Sequence, residues 1–153
     1  MLTEAQKTAL AADIAANDAE FGALPHNSDG AWEIKEAYNL PADPELLVWK
    51  TSVSVDEAME VMVWTEFLAL TEPQRNTLLD GLLSNHDFNP SLPNIRQGIA
   101  ACLPEDEADG CRDALLAICK EPATRAEALL ASGATRTFVG NLTYQDVMSA
   151  MGW

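Results

Sequence analysis

Positively charged residues are scarce in this sequence. Its 153 residues contain 9 Lys and Arg against 24 Asp and Glu, which gives a formal net charge of -15 at pH 7. An acidic surface repels phosphate groups, and affinity for nucleic acids comes mainly from Lys and Arg. The composition therefore argues against binding to nucleic acid or to an anionic membrane surface. It favours partners that present basic or apolar patches.

Long apolar runs are missing as well. No stretch reaches the ~20 apolar residues that span a bilayer. The opening residues, MLTEAQKTALAADIAAND, have no basic segment followed by an apolar one, so we expect no secretory signal, and synthesis in a cytoplasm. The cysteines are an odd number without a C-x-x-C pair, which predicts reduced, structural thiols. They are Cys102, Cys111 and Cys119.

The familiar motifs of catalysis and metal binding do not occur. There is no G-x-S-x-G, no H-E-x-x-H and no dinucleotide fingerprint. The acidic run 105–110, EDEADG, imitates the first half of an EF-hand loop, but its twelfth position is Leu116, which cannot bind calcium. Cys111, Leu115 and Cys119 have the spacing of a buried helical stripe rather than of a zinc site. We therefore predict no catalytic, cofactor-binding or metal-binding residues and no enzymatic activity.

Helix-start signals are abundant. In a capping box, a Ser or Thr side chain accepts a hydrogen bond from the backbone three residues on, and an acidic or amide side chain there bonds back. Pairs of this kind stand ahead of apolar residues that recur at steps of three and four, as an amphipathic helix requires. The pairs are Thr3–Gln6, Ser54–Glu57, Thr71–Gln74, Thr124–Glu127 and Thr143–Asp146.

These patterns predict a mainly all-α fold. We expect a compact bundle of six or seven short helices, with one or two short extended segments at 46–53 and 134–140. The length suits one domain, 1–153. Within it, 134–153 is a candidate for a projecting arm and a terminal helix, although 134–140 also fits a strand.

The segment HNSDGAWE, residues 26–33, is the strongest candidate for an active-site loop. Its His, Ser and Asp suit catalysis, and its Gly suits a close approach to a phosphate. However, Asn, Ser and Asp are also the preferred residues at a helix start, and the helical pattern of Ala31, Ile34 and Tyr38 follows directly. A phosphate loop would need more glycine and usually a Lys. We favour helix initiation over ligand contact or catalysis.

The aromatic residues point to a core and to an interface. Trp32, Trp49 and Trp64 have apolar neighbours in sequence, which predicts that they pack in the core. Trp153 either folds back on its own domain or inserts into a partner. Because aromatic and Met side chains are enriched at interfaces, we predict an interface near the end of the chain. Its candidate residues are Phe138, Val139, Tyr144, Met151 and Trp153.

Several segments resemble a group of small proteins from tailed bacteriophages and prophages. The resemblance runs in order along nearly the whole chain, and only the stretches 60–86 and 104–111 match weakly. It rests on LPHNSDGAWEIKEAYNLPADPELLVWKTSV, NPSLPNIRQGI, ATRAEALLASG and FVGNLTYQDV.

The resemblance implies a structural virion protein that is assembled in the host cytoplasm. Head–tail connectors, the adaptor or neck proteins below the portal, are commonly small helical bundles that form an oligomeric ring. We therefore expect a ring of identical copies that contacts portal or tail proteins, needs no cofactor, and binds neither sequence-specific nucleic acid nor membrane. A capsid auxiliary or cement protein and a non-virion assembly chaperone are the alternatives.

Overall fold

The computed structural model describes residues 1–81, 86–103 and 110–153. Within these ranges the chain is mainly helical, with ten α-helices and two small two-stranded sheets, which confirms the predicted class. The helices outnumber the six or seven expected because several are only one or two turns long. The chain packs as two compact units. Unit 1 comprises Met1–Val48 with Pro122–Trp153, and unit 2 comprises Trp49–Glu121.

Unit 1 contains five helices among the described residues. They are α1 (Glu4–Ala16), α2 (Asp18–Phe21), α3 (Ser28–Tyr38), α9 (Arg125–Leu130) and α10 (Tyr144–Met151). The core of the unit lies where α10 packs on α1 and α3. Its fully buried side chains include Leu10, Ile34, Tyr38, Leu142 and Val147.

Unit 2 contains the other five described helices. They are α4 (Val55–Glu60), α5 (Trp64–Ala69), α6 (Glu72–Gly81), α7 (Pro93–Cys102) and α8 (Cys111–Ile118). Aliphatic and aromatic side chains form its core together with all three cysteines and Met62. On α6, Leu78 is buried in this core and Leu79 is 40% exposed.

The strands are short. They are β1 (Leu47–Trp49), β2 (Val53–Ser54), β3 (Asp87–Phe88) and β4 (Lys120–Pro122). β1 pairs with β4, and β2 pairs antiparallel with β3, so that Val53 faces Phe88. The extended structure expected within 46–53 is therefore present. In 134–140 the described backbone forms only an isolated bridge, from Thr135 to Ser132, around Gly133 at φ 61°.

Side-chain capping explains where several of the helices begin. Four predicted capping boxes are complete in both directions, at α1, α4, α9 and α10. At α6, Gln74 Oε1 accepts from the Thr71 N–H at 3.0 Å and from its hydroxyl at 2.7 Å.

Within the described ranges, none of the helices combines the length and the hydropathy of a membrane span.

Candidate functional site

The segment HNSDGAWE starts a helix, as predicted. Asn27 is the N-cap of α3, and its Oδ1 accepts from the N–H groups of Asp29 at 2.9 Å and Gly30 at 3.2 Å. Asp29 lies in the first turn, where a carboxylate interacts favourably with the positive end of the helix dipole. A Cβ at Gly30 would lie 2.0 Å from the Pro25 carbonyl oxygen. Chain packing therefore explains this glycine without any phosphate.

The histidine of this segment is engaged by the last residue of the chain. The His26 ring stacks on the Trp153 indole, with centroids 4.7 Å apart and planes 14° apart. Gly152 adopts the left-handed conformation at φ 72°, and the Trp153 N–H then donates to Met148 O at 3.1 Å. Of the two alternatives for Trp153, the structure shows the one in which it folds back on its own unit.

The five predicted interface residues differ in exposure. Val139 is 54% exposed and Tyr144 is 37% exposed. Phe138, Met151 and Trp153 are partly buried against the core of unit 1. Val139 and Tyr144 therefore offer more apolar surface to a partner than the other three do without rearrangement, and the assignment of the whole set to an interface stays a prediction.

The candidate arm 134–140 lies against α9 through a buried ion pair. Arg136 Nη1 lies 2.9 Å from Glu127 Oε1, and the two side chains are 7% and 6% exposed. The same carboxylate accepts from the N–H groups of Gly140 at 3.3 Å and Thr124 at 3.1 Å. Gln6 Nε2 donates to Thr137 O at 2.8 Å. These bonds hold the segment on unit 1.

Unit 1 also has a cleft of about 650 Å³, beside α1 and α9. The charged residues that line it are Asp13, Glu20, Asp43, Glu45 and Arg125. Arg125 Nη1 donates to both carboxylate oxygens of Glu20, at 2.9 and 3.0 Å. Its guanidinium lies 4.5 Å from the centre of the Tyr38 ring, and the Tyr38 hydroxyl donates to Asp13 Oδ2.

This network limits what the cleft can do chemically. Four carboxylates against one guanidinium make it net negative, so it disfavours anionic ligands. Burial, and then the hydrogen bond to Asp13, raises the pKa of Tyr38 far above its ordinary value. Tyr38 therefore stays protonated at neutral pH and cannot act as a base. Sequence reasoning missed the network because Glu20 and Arg125 stand 105 positions apart and give no local signal.

The tryptophans depart from the prediction. Trp32 and Trp64 are 51% and 49% exposed, so the expectation that they pack in the core is wrong for both. Ala31 and Ile34 occupy the inner face of α3, which leaves Trp32 on the outer face with Lys35 Nζ 4.0 Å above its ring. Trp49 is partly buried against the core of unit 2.

Trp49 is the centre of a second polar site, in unit 2. The guanidinium carbon of Arg96 and the Nζ of Lys120 lie 4.8 and 4.7 Å from the centre of its ring. Arg96 and Trp49 also line a cavity of about 320 Å³ together with Arg112. We call Trp49, Arg96, Arg112 and Lys120 the basic–aromatic face. The sequence around Trp49 is apolar and does not predict this face.

Among the residues that the structure describes, the cysteines and acidic residues do not form a metal site. All three cysteines are free and buried, as predicted. Burial raises the pKa of each thiol, in Cys119 to about 11, so these thiols are poor nucleophiles at neutral pH. Within 1–81, 86–103 and 110–153 there is no cluster of metal-binding side chains. The acidic run tested for calcium lies almost wholly outside the described residues, at 105–109.

Comparison with known proteins gives no relatives from which to assign this chain. No protein-family model, curated protein or solved structure matches it. The sites described above therefore have to be interpreted from their own geometry.

Proposed function

We propose that the chain is a structural virion protein of a tailed bacteriophage. Its role is that of a head–tail connector, an adaptor or neck protein that forms a ring between portal and tail. It acts through its shape and contact surfaces and catalyses no reaction.

The observation that carries this proposal is the place of the resembling segments in the fold. Asn27 caps α3, Val48 and Val53 are fully buried, and Ile99 is fully buried on α7. Thr124 and Glu127 form a capping box that also holds Arg136. The segments that resemble the phage proteins therefore include residues that build the fold. Such residues support shared architecture more strongly than shared chemistry.

The outward side chains support a role in contacts. Within the described ranges, exposed apolar residues include Trp32, Leu40, Trp64, Leu68 and Val139, each about half exposed or more. The polar residues that suggested catalysis are engaged in caps and stacking, as Asn27 and His26 illustrate. An acidic surface along a DNA conduit also repels the duplex and lets it slide.

Position and copy number in purified particles test the proposal. We expect one ring at the neck, located by electron cryomicroscopy and counted against the portal by quantitative mass spectrometry. Many copies spread over the capsid would identify a cement protein instead. Presence in assembly intermediates combined with absence from finished particles would identify a chaperone.

A pair of variants tests the predicted surface. Val139→Asp places a charge on an exposed candidate interface residue, and Leu79→Asp places the same charge on an exposed apolar residue of unit 2. We expect both chains to fold and only Val139→Asp to lose incorporation into particles. Equal incorporation of the two variants would contradict the assignment of Val139 to the interface.

A further inference from the structure

Two cations of the basic–aromatic face, Arg96 and Lys120, lie within 5 Å of the centre of the Trp49 ring. Neither forms an ion pair with any carboxylate in the described part of the chain. Arg96 Nη1 donates to the carbonyl oxygens of Pro90 and Ser91, both at 2.7 Å. Those bonds fix the guanidinium but neutralise no charge.

Acidic side chains far outnumber basic ones in this chain, 24 to 9, and several other cations do have a carboxylate beside them. Lys7, Lys35 and Lys50 each have one, in Glu4, Glu36 and Glu57. Two cations held by an indole ring are pre-oriented, so binding an anion to them costs little additional side-chain entropy.

The shape and chemistry of the face suit a carboxylate-bearing protein surface. The adjoining cavity of about 320 Å³ is lined by Trp49, Arg96 and Arg112, with apolar contributions from Pro93 and Leu116. A guanidinium binds a carboxylate through two parallel hydrogen bonds, and the apolar rim accommodates the methylene groups of Asp or Glu. The partner expected from this chemistry is an acidic protein.

We infer that the basic–aromatic face of unit 2 docks on the acidic surface of a second copy of this chain. Copies with a net charge of -15 repel one another at most orientations. Association is therefore favoured where positive charge is concentrated, as it is around Trp49. A basic patch that meets an acidic patch is a heterologous contact, the kind that closes into a ring. The inference rests on the proposed ring and names one side of its interface.

Sedimentation velocity of the purified full-length chain tests the inference. In low salt, about 20 mM, we expect self-association that rises with protein concentration, and at about 500 mM salt we expect it to weaken, because exposed charges are then screened. The double variant Arg96→Glu/Lys120→Glu should weaken self-association at least about tenfold, since it places like charges across the contact. Hexaglutamate added to the wild type should dissociate the oligomer.

A charge-matched control separates local from global electrostatics. Lys7→Glu/Arg75→Glu lowers the net charge by the same amount at residues outside the face. It should keep most of the self-association. The single variant Lys120→Glu changes the charge of the face while the bonds of Arg96 to Pro90 and Ser91 stay in place. Circular dichroism of all variants identifies any loss of folding.

Several results would overturn the inference. They are a wild type that stays monomeric in low salt, an equal loss in the control, and hexaglutamate binding at the face without self-association. The last result would point to an acidic partner other than this chain. A protein located at the neck that is monomeric in isolation would refute the inference and leave the proposed function standing. A chain that self-associates through this face but is absent from particles would refute the proposed function and leave the self-association standing.

Discussion

Unit 1 joins two distant parts of the chain, 1–48 and 122–153, through directed polar bonds, whereas unit 2 folds from the continuous stretch 49–121 around a sulfur-rich apolar core. In unit 1, polar bonds link residues more than 100 positions apart, such as Arg125 to Glu20 and Asn39 to Leu142. In unit 2 a comparable bond, from the Cys111 N–H to Glu66, spans 45 positions.

The difference shows how each unit achieves a specific fold. Hydrophobic burial has no direction, so a core specifies which residues are inside but leaves the register of distant segments less defined. Directed hydrogen bonds and a buried ion pair are satisfied in only one register. Segments separated by an intervening unit gain most from such bonds. We therefore expect unit 1 to be sensitive to polar substitutions and unit 2 to changes in its core.

Arg136→Ala should produce the largest effect. It leaves the 6% exposed carboxylate of Glu127 without its cation, and breaking a buried pair in this way costs about 3–5 kcal/mol. Urea unfolding followed by circular dichroism measures the loss. Hydrogen exchange followed by mass spectrometry should show faster amide exchange in unit 1 of the variant than in unit 1 of the wild type. An unchanged urea midpoint would mean that the pair contributes nothing to holding 134–140.

A double substitution serves as the control for this prediction. Glu127→Gln/Arg136→Met removes both charges and keeps similar side-chain volumes. Replacement of a buried pair by uncharged groups is often close to neutral. We expect the double variant to be more stable than Arg136→Ala. The opposite order would indicate that the Glu127 carboxylate stabilises the unit mainly through its bonds to the Thr124 and Gly140 N–H groups rather than through Arg136.

The thiol of Cys119 should make the stability of unit 2 depend on alkaline pH. Burial raises its pKa to about 11, from about 8.5 in an unfolded chain. Between these values the folded chain keeps a proton that the unfolded chain loses, so the free energy of unfolding falls as the pH rises. Below pH ~8.5 the thiol is protonated in both states and the free energy of unfolding is unaffected by it. By pH ~11 the free energy of unfolding has fallen by about 2–3 kcal/mol.

Cys119→Ala isolates this contribution. Tyr38 titrates in the same sense, because its pKa is also raised, but it is present in both proteins. The difference in unfolding free energy between wild type and variant should shrink as pH rises from about 8.5 to 11. A constant difference over that range would contradict the assignment of the effect to the Cys119 thiol.

Asn39→Ala should weaken the connection between α3 and α10. The Asn39 amide donates to Leu142 O at 3.0 Å and accepts from the Leu142 N–H at 2.8 Å. Leaving these backbone groups without partners costs about 2 kcal/mol. Asn39→Asp keeps the acceptor and loses the donor, so its melting temperature should lie between those of the wild type and Asn39→Ala. Equal melting of both variants would assign the whole effect to the donor.

Local features of this fold could be predicted from the sequence, and distant ones could not. The capping boxes were predictable because the box at Thr3 or Thr143 involves residues three positions apart. The exposure of Trp32 was missed because apolar neighbours in sequence do not share a helix face: Ala31 points inward while Trp32 points outward.

The polar sites illustrate the same limit. The segment HNSDGAWE was interpreted correctly as a helix start because capping is local. The pairing of Glu127 with Arg136, and the meeting of Arg96 and Lys120 at Trp49, depend on how the segments pack. No spacing rule in the sequence indicates which of many charged residues will meet. The projecting arm was a reasonable expectation for 134–140 until the position of Arg136 was known.

Asn27→Ala should have the smallest effect. It removes the side-chain acceptor for the N–H groups of Asp29 and Gly30, and loss of such a cap costs about 1 kcal/mol. Asp29→Ala is the matched control, because it removes only the carboxylate of the first turn and should cost about 0.3–1 kcal/mol. If the proposed function holds, both variants should enter particles normally at permissive temperature. If either one retains wild-type stability in urea but fails to assemble, the segment does more than start α3, and the account of it as a capping sequence is wrong.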